Sequence, residues 1–269
     1  MKPDQPSIAQ LKAYLDPIVD RFECIDFIKD DPISIPHGFE DPEDQSIIGL
    51  FAALLAWGRR DIMMAKLAQL CERMDYKPAQ FVRSYTISSH RPQLDGFVHR
   101  TFNAADAEGL TLSLQSLLAQ SSLEEVFRRG MKPDAPVESG IQYLAEQLID
   151  HVPGQPKRIQ KHLARPSSGS ACKRWNMYLR WMVRPGPVDM GRWKSLSTRD
   201  LLLPLDLHSA RQARQIGLLA RTSNDWKATV ELTNACRKLN PEDPARYDFA
   251  LFGTGAAGEH LDASRILIP

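Results

Sequence analysis

The sequence predicts an all-α fold, and three observations predict it. Apolar residues recur at helical spacing, and no segment alternates apolar and polar residues as a half-buried strand would. Proline and glycine then cut the chain into stretches of about 8 to 16 residues, the length of ordinary globular helices. The clearest stripe is Ile47, Leu50, Phe51, Leu54 and Leu55, at i, i+3, i+4, i+7 and i+8. Asp41, Pro42, Glu43 and Asp44 open it, because acids suit the positive end of a helix and proline suits its first position. Trp57-Gly58 ends it. A second helix is expected from Asp61 to Met74 and a short one after Pro78. Others follow near Leu110 to Leu118, Leu123 to Arg129 and Glu138 to Asp150. Punctuation falls at Pro92, Pro133, Pro136, Pro153-Gly154-Gln155-Pro156, Pro166, Pro185-Gly186-Pro187 and Pro241 to Pro244. The 269 residues allow one large domain or two helical lobes sharing a central cleft, the boundary then falling near 153–156 with room for both terminal segments in the same lobe.

Composition excludes several classes. At 43% hydrophobic and 25% charged residues the chain is neither disordered, collagenous nor coiled coil. Its longest apolar stretches, around Ile47 to Trp57 and Leu201 to Leu205, are shorter than the ~20 residues that span a bilayer. The opening MKPDQPS lacks the basic-then-apolar pattern of a signal peptide, so a cytoplasmic protein is expected, with no membrane partner. Cys24, Cys71, Cys172 and Cys236 are scattered without a CxxC, and the seven histidines form no HxxxH or HExxH. No metal and no cofactor are expected. GxxxxGK[ST] is missing, and the GxGxxG match, GTGAAG at 253–258, follows a helix rather than a strand and so does not read as a dinucleotide-binding turn.

The net charge of +1 hides an uneven distribution. Residues 157–199 hold eleven basic residues and one acid, Asp189, and so carry +10; the rest carries −9. A solvated face usually mixes signs, whereas this run is nearly all cationic and interleaves Trp175, Tyr178, Trp181 and Trp193. Such a pattern suits a polyanion, with cations displacing counterions from phosphates and aromatic rings stacking on bases.

Inside the basic run, Pro166-Ser-Ser-Gly-Ser-Ala-Cys172 is a small-residue turn leading into an aromatic-rich helix that Lys173 begins. A lysine there opposes the helix macrodipole, a mismatch that favours the neutral, nucleophilic amine; a surface lysine on a basic face is the plainer account. Downstream, Leu201-Leu-Leu-Pro-Leu-Asp206 places a carboxylate at or beside a helix N-cap, in a helix that Gly217 closes. Farther on, Asp243 reads as a cap with Pro244 at the first helical position, which sets Asp248 and Phe252 one turn apart on one face. That pair suits a flat, hydrogen-bonding heterocycle; a core Phe252 with Asp248 paired to an arginine is the competing arrangement.

These motifs resemble two families. The segments GSACKRxNMxLRWMVR, PLDxHxxRxA and YDFALFG resemble an uncharacterised bacterial family of unknown function over nearly the whole chain. The hairpin-lysine and Pro-apolar-Asp-x-His pattern, from Arg165 through Gly255, resembles the helix-hairpin-helix DNA glycosylase superfamily. Its 33-residue spacing from Lys173 to Asp206 is similar to the archaeal 8-oxoguanine DNA glycosylase branch.

The glycosylase resemblance implies a monomeric base-excision enzyme with associated lyase activity on damaged double-stranded DNA, acting on an oxidised purine such as 8-oxoguanine. Lys173 is then the nucleophile at the sugar C1′, and Asp206 promotes loss of the base. Asp248, Phe252, Met177 and Trp57 form the base pocket, and Arg59, Arg60, Arg165, Gly169, Ser170, Arg174, Arg180, Arg184 and Arg211 contact DNA. Two departures stand out. The hairpin reads PSSGSACK in place of LPGVGxK, keeping Gly169 alone, and Leu54-Leu-Ala-Trp-Gly-Arg-Arg60 carries no lesion-probing glutamine. Trp57, Arg59 and Arg60 either line the cleft or simply close a helix at Gly58. A non-catalytic nucleic-acid binder with a degenerate glycosylase fold, and a helical protein-interaction domain with a basic face, are the alternatives.

Overall fold

The computed structural model describes residues 6–152 and 156–266, and the regular elements of the described residues are helices apart from one two-stranded hairpin. It divides into two compact units, one made of residues 1–27 and 166–269 and the other of residues 28–165. Most of the expected boundary at 153–156 lies outside the described residues. Among the described residues no helix is long and apolar enough to cross a membrane.

The first helix, α1 (Ile8–Phe22), is one that proline punctuation conceals, because Pro17 sits inside it. Ser7 and Gln10 start it with a reciprocal capping box, and Leu11, Leu15, Val19 and Phe22 line its buried side while Pro17 faces solvent.

In the unit of residues 28–165, the short α2 (Ser34–His37) precedes α3 (Pro42–Leu55). The Asp41 carboxylate accepts from the Glu43 and Asp44 amides at 2.8 and 3.0 Å, the cap that the acidic opening predicts. From Ile47 to Leu55 every residue is buried, so α3 is a central helix rather than a one-sided amphipathic one. Then come α4 (Arg60–Arg73), α5 (Pro78–Ser84) and α6 (Ile87–Leu94). Pro92 lies within α6 and does not break it. Strands β1 (Val98–His99) and β2 (Phe102–Asn103) pair antiparallel with His99 opposite Phe102, and Arg100 turns between them at a φ of 54°. The unit closes with α7 (Ala104–Leu118), α8 (Leu123–Gly130), α9 (Pro136–Asp150) and α10 (Pro156–Ile159). α8 and α9 approach closely at Gly140, where a Cβ would meet the Phe127 ring at 2.5 Å.

The other unit adds α11 (Lys173–Val183), α12 (Leu207–Gln215), α13 (Trp226–Leu239), α14 (Tyr247–Ala256) and α15 (Ala263–Ile266) to α1. Trp175, Tyr178, Trp181 and Trp193 are at most 4% exposed. This corrects the expectation that they stack on bases: their apolar area is spent in the core. Asp243 also departs from expectation. Its carboxylate is taken by Arg184 at 2.8 Å and caps nothing, so Pro244–Arg246 forms a 3-10 turn and α14 begins at Tyr247. α14 packs on α1 at Gly253, where a Cβ would stand 2.4 Å from the Phe22 ring and 2.8 Å from its Cβ. Gly253→Ala is therefore expected to destabilise the protein by about 1–3 kcal/mol through overpacking, measured as a lower urea midpoint at unchanged slope.

Candidate functional site

The turn before Lys173 is built to hold that residue at the start of α11. Pro166–Ser168 is a 3-10 turn, the Gly169 amide closes it onto the Pro166 carbonyl at 2.8 Å, and Gly169 has a φ of +76°. A Cβ there would meet nothing within 4 Å, so the left-handed backbone, not space, is what calls for glycine. Ser170 then bridges to Asp225, ahead of α13, and the Trp226 amide donates to the Gly169 carbonyl at 3.1 Å. The Ala171 carbonyl is gripped by Asn176 Nδ2 of α11 at 3.1 Å and Thr229 Oγ1 of α13 at 3.3 Å. Cys172 is left-handed at a φ of 49° and gives α11 no side-chain cap. Lys173 thus occupies the first helical position, half-buried, with Nζ 3.4 Å from the sulfur of Met177 one turn on.

Asp206 reaches the same unit from α12. It is the N-cap: extended backbone, Oδ1 accepting from the Ser209 amide at 2.9 Å, and the side chain half-buried. Ser209 is fully buried, and its hydroxyl donates to Asp248 Oδ1 of α14 at 3.1 Å. Asp248 Oδ2 in turn accepts from Arg180 Nη1 of α11. One hydrogen-bonded path therefore runs Asp206–Ser209–Asp248–Arg180, from α12 through α14 to the helix that begins at Lys173. The Lys173 ammonium and the Asp206 carboxylate both act on the ionisation of Asp248. Burial raises that carboxyl to about 6; the Asp206 charge pushes the same way, while Arg180, Ser209 and Lys173 oppose it.

Behind Asp248 the path widens into an ion-pair network. Arg180 Nε meets Asp189 at 3.2 Å, and Arg184 pairs with Asp189 at 3.2 Å, with Asp243 at 2.8 Å and with Glu23, the residue after α1, at 2.5 Å. Burial raises the Asp189 carboxyl. For Arg184 burial works against the charge, but Glu23, Asp189 and Asp243 outweigh it and hold the guanidinium protonated. Arg180 and Arg184 are 7% and 5% exposed. They are therefore removed from the expected DNA-contacting set: their guanidiniums face acids inside the unit. Asp248 is 4% exposed with both oxygens engaged, the arginine-paired arrangement that competes with base recognition.

The other expected residues divide by unit. Phe252 is half-buried, edge-on to Phe27 at 6.5 Å and to His208 at 6.2 Å, and Met177 is 7% exposed beside Lys173. Arg174 is half-buried, Ser170 is half-buried and hydrogen-bonded to the Cys172 amide, and Gly169 and Arg211 are exposed. Trp57, Arg59, Arg60 and Arg165 belong to the unit of residues 28–165. There Trp57 lies against His99 and His162 at 6.1 and 5.5 Å between ring centres, Arg59 pairs with Asp61 at 2.6 Å, and Arg60 is exposed at the start of α4. Among the described residues no group of three His, Cys, Asp or Glu could hold a metal ion.

Residues 31–257 match the sequence profile of a family described as a protein of unknown function, DUF2400. The chain belongs to that family. No curated protein and no solved structure matches it. The DUF2400 match takes in Lys173, Asp206, Ser209, Asp248 and Phe252, while α1, which packs on α14, precedes it.

Ser209 and Asp189 are the members of the site that motif reading passes over. Each has a signal. Asp189 is the lone acid in a 43-residue basic run, as expected of a carboxylate that neutralises buried arginines, and Ser209 stands at the third helical position after an Asp cap. Asp206 allows the cap to be separated from any chemistry. Asp206→Ala is expected to cost about 1 kcal/mol and Asp206→Asn only a few tenths, since the amide oxygen still accepts from Ser209. Chemical denaturation of the two variants reads this difference.

Proposed function

We propose that the protein is a DNA glycosylase with associated lyase activity on an oxidised purine such as 8-oxoguanine. The observation that supports the reading is that two carboxylates, Asp206 and Asp248, are linked through Ser209, and that the helix-start Lys173 and Asp206 both act on the ionisation of Asp248. A structural ion pair needs no half-buried lysine at the positive end of a helix, whereas a nucleophilic amine benefits from that position.

A base inside a duplex is beyond reach, so the nucleotide is extruded and its base lies near Phe252 and Met177. The Lys173 Nζ lone pair forms a bond to the sugar C1′. The C1′–N bond breaks with its electron pair leaving on the base, which takes up a proton, and the amine sheds its own proton to Asp206. Ring opening gives a Schiff base. Loss of a C2′ proton and cleavage of the C3′–O bond then expel the 3′ phosphate, and water releases the lysine. Asp206 stabilises the positive charge that develops on the sugar. Exposed Arg211 and the Gly169–Ser170 turn are the elements of this unit that meet the phosphates.

The test is incubation with duplexes carrying 8-oxoguanine or an abasic site, followed by borohydride. A covalent protein–DNA adduct is expected. If no lesion gives an adduct while DNA affinity falls steeply with salt, the non-catalytic binding reading replaces this one.

A further inference from the structure

Arg100, at the turn of the β1–β2 hairpin, takes left-handed backbone at a φ of 54°, where glycine or asparagine meets less strain. We infer that Arg100, seated on Gly58, is a phosphate-binding residue, and that with Arg60 it holds the backbone of a nucleic acid on the unit of residues 28–165. The inference goes beyond the chemistry proposed at Lys173 and takes from that reading only the class of partner.

Three observations carry it. First, the Arg100 side chain has a built seat. Gly58, itself left-handed at a φ of 89°, leaves open the space that the arginine crosses: a Cβ there would stand 3.0 Å from Arg100 Cδ and 3.1 Å from its Nη1. Second, the seat is held from both sides of the turn. Buried His99, just before Arg100, donates from Nε2 to the Trp57 carbonyl at 3.1 Å and stacks on the Trp57 ring, which ties β1 to the chain at Gly58. Beyond α10, Lys161 Nζ donates to the carbonyl of Thr101, the other residue of the turn, at 3.0 Å. Third, the charge at this corner is not neutralised. Arg100 and Arg60 are exposed, and among the described residues neither guanidinium makes an ion pair. Arg59, by contrast, is engaged with Asp61 at 2.6 Å, and the buried Asp106 of α7 is taken by Arg158 at 3.0 Å, with Lys161 3.9 Å away.

The chemistry follows from the geometry. A guanidinium is a planar fork that meets two phosphate oxygens at once, and one already held in place loses little freedom when it does so. Arg60, two residues from Gly58, adds a second charge to the same corner. Contacts of this kind anchor a strand without reading its sequence, and each phosphate they neutralise releases counterions, so the salt slope of binding counts the cations engaged.

The experiment measures the affinity of the full chain for an undamaged duplex and for the same duplex with an abasic site, by fluorescence anisotropy from about 50 to 200 mM salt. Arg100→Gln is expected to lower the slope of log affinity against log salt by about 1 and the affinity by about fivefold or more, equally on both duplexes; adding Arg60→Gln removes about 1 more. Gly58→Ala is expected to lose part of the affinity by unseating Arg100, and to lose nothing further in the Arg100→Gln background. Arg128→Gln, which removes an exposed arginine paired with Glu125, is expected to leave the slope unchanged. An unchanged slope in Arg100→Gln overturns the inference, as does a loss that Arg128→Gln reproduces or a Gly58→Ala loss that adds in full to that of Arg100→Gln. If Gly58→Ala does not fold, the Arg100→Gln slope decides. A wild type with affinity for polyglutamate but for neither duplex overturns the inference in favour of an acidic protein partner. A borohydride adduct from the wild type with an unchanged Arg100→Gln slope sinks the inference and leaves the glycosylase reading standing; a reduced slope with no adduct does the opposite.

Discussion

Arg180→Met is expected to destabilise the protein by about 3–5 kcal/mol, the range seen when one partner of a buried ion pair is removed. Arg180 donates to both Asp248 and Asp189 and lies over the Phe249 ring at 4.4 Å. Its loss leaves Asp248 with only Ser209 and Asp189 with only Arg184 among the bonds described above. The deficit also depends on pH in a definite direction. Burial already raises both carboxyls in the folded protein, Asp248 to about 6, and Arg180 is the largest influence opposing that rise. Without Arg180 the folded state binds protons still more tightly than the unfolded chain, so stability falls as pH rises from about 4 toward neutrality. Urea denaturation should therefore show a smaller deficit at pH 5 than at pH 7. Adding Asp248→Asn to Arg180→Met should recover part of the loss, because it removes one of the charges left behind.

Lys173→Ala is expected to abolish lyase activity, lowering strand cleavage at an abasic site by about 10³-fold or more, as loss of a nucleophile does. Stability should hold or rise by a few tenths of a kcal/mol, because the substitution takes a positive charge away from a helix N-terminus. That opposition separates function from fold: a residue that mattered only for structure would lose stability together with activity. Strand cleavage on a denaturing gel, beside a thermal melt of the same preparation, reads both.

How much of this was legible in the sequence depends on how local the determining physics is. The Asp41 cap before α3, the Asp206 cap before α12 and the place of Lys173 in the first turn of α11 are all set within four residues, and motif reading finds them. α1 is less visible because Pro17 looks like a break, whereas the burial of Leu11, Leu15, Val19 and Phe22 along its other side offsets what the proline costs. The β1–β2 pair offers two residues per strand, too few for any alternation to register. Charge reads least well. A basic run announces cations but not their direction, and Arg180 and Arg184 point inward because Asp189 within the run, and Asp243, Asp248 and Glu23 from other parts of the chain, meet them. The same tertiary pairing turns Asp248 from an expected base contact into the centre of a strut, and takes Asp243 from an expected cap to a partner of Arg184. What survives of the basic surface in the described residues is smaller than the +10 suggests, since Arg158 is engaged with Asp106 at 3.0 Å and Arg199 with Glu242 at 2.5 Å.

The central claim is that Lys173 is the amine that attacks the sugar. The most direct measurement is to trap the protein on an abasic duplex with borohydride, digest the adduct and locate the modified residue by tandem mass spectrometry. The account predicts that the sugar remnant sits on Lys173. A remnant on the N-terminal amine or on any other lysine, with Lys173 unmodified, would contradict it.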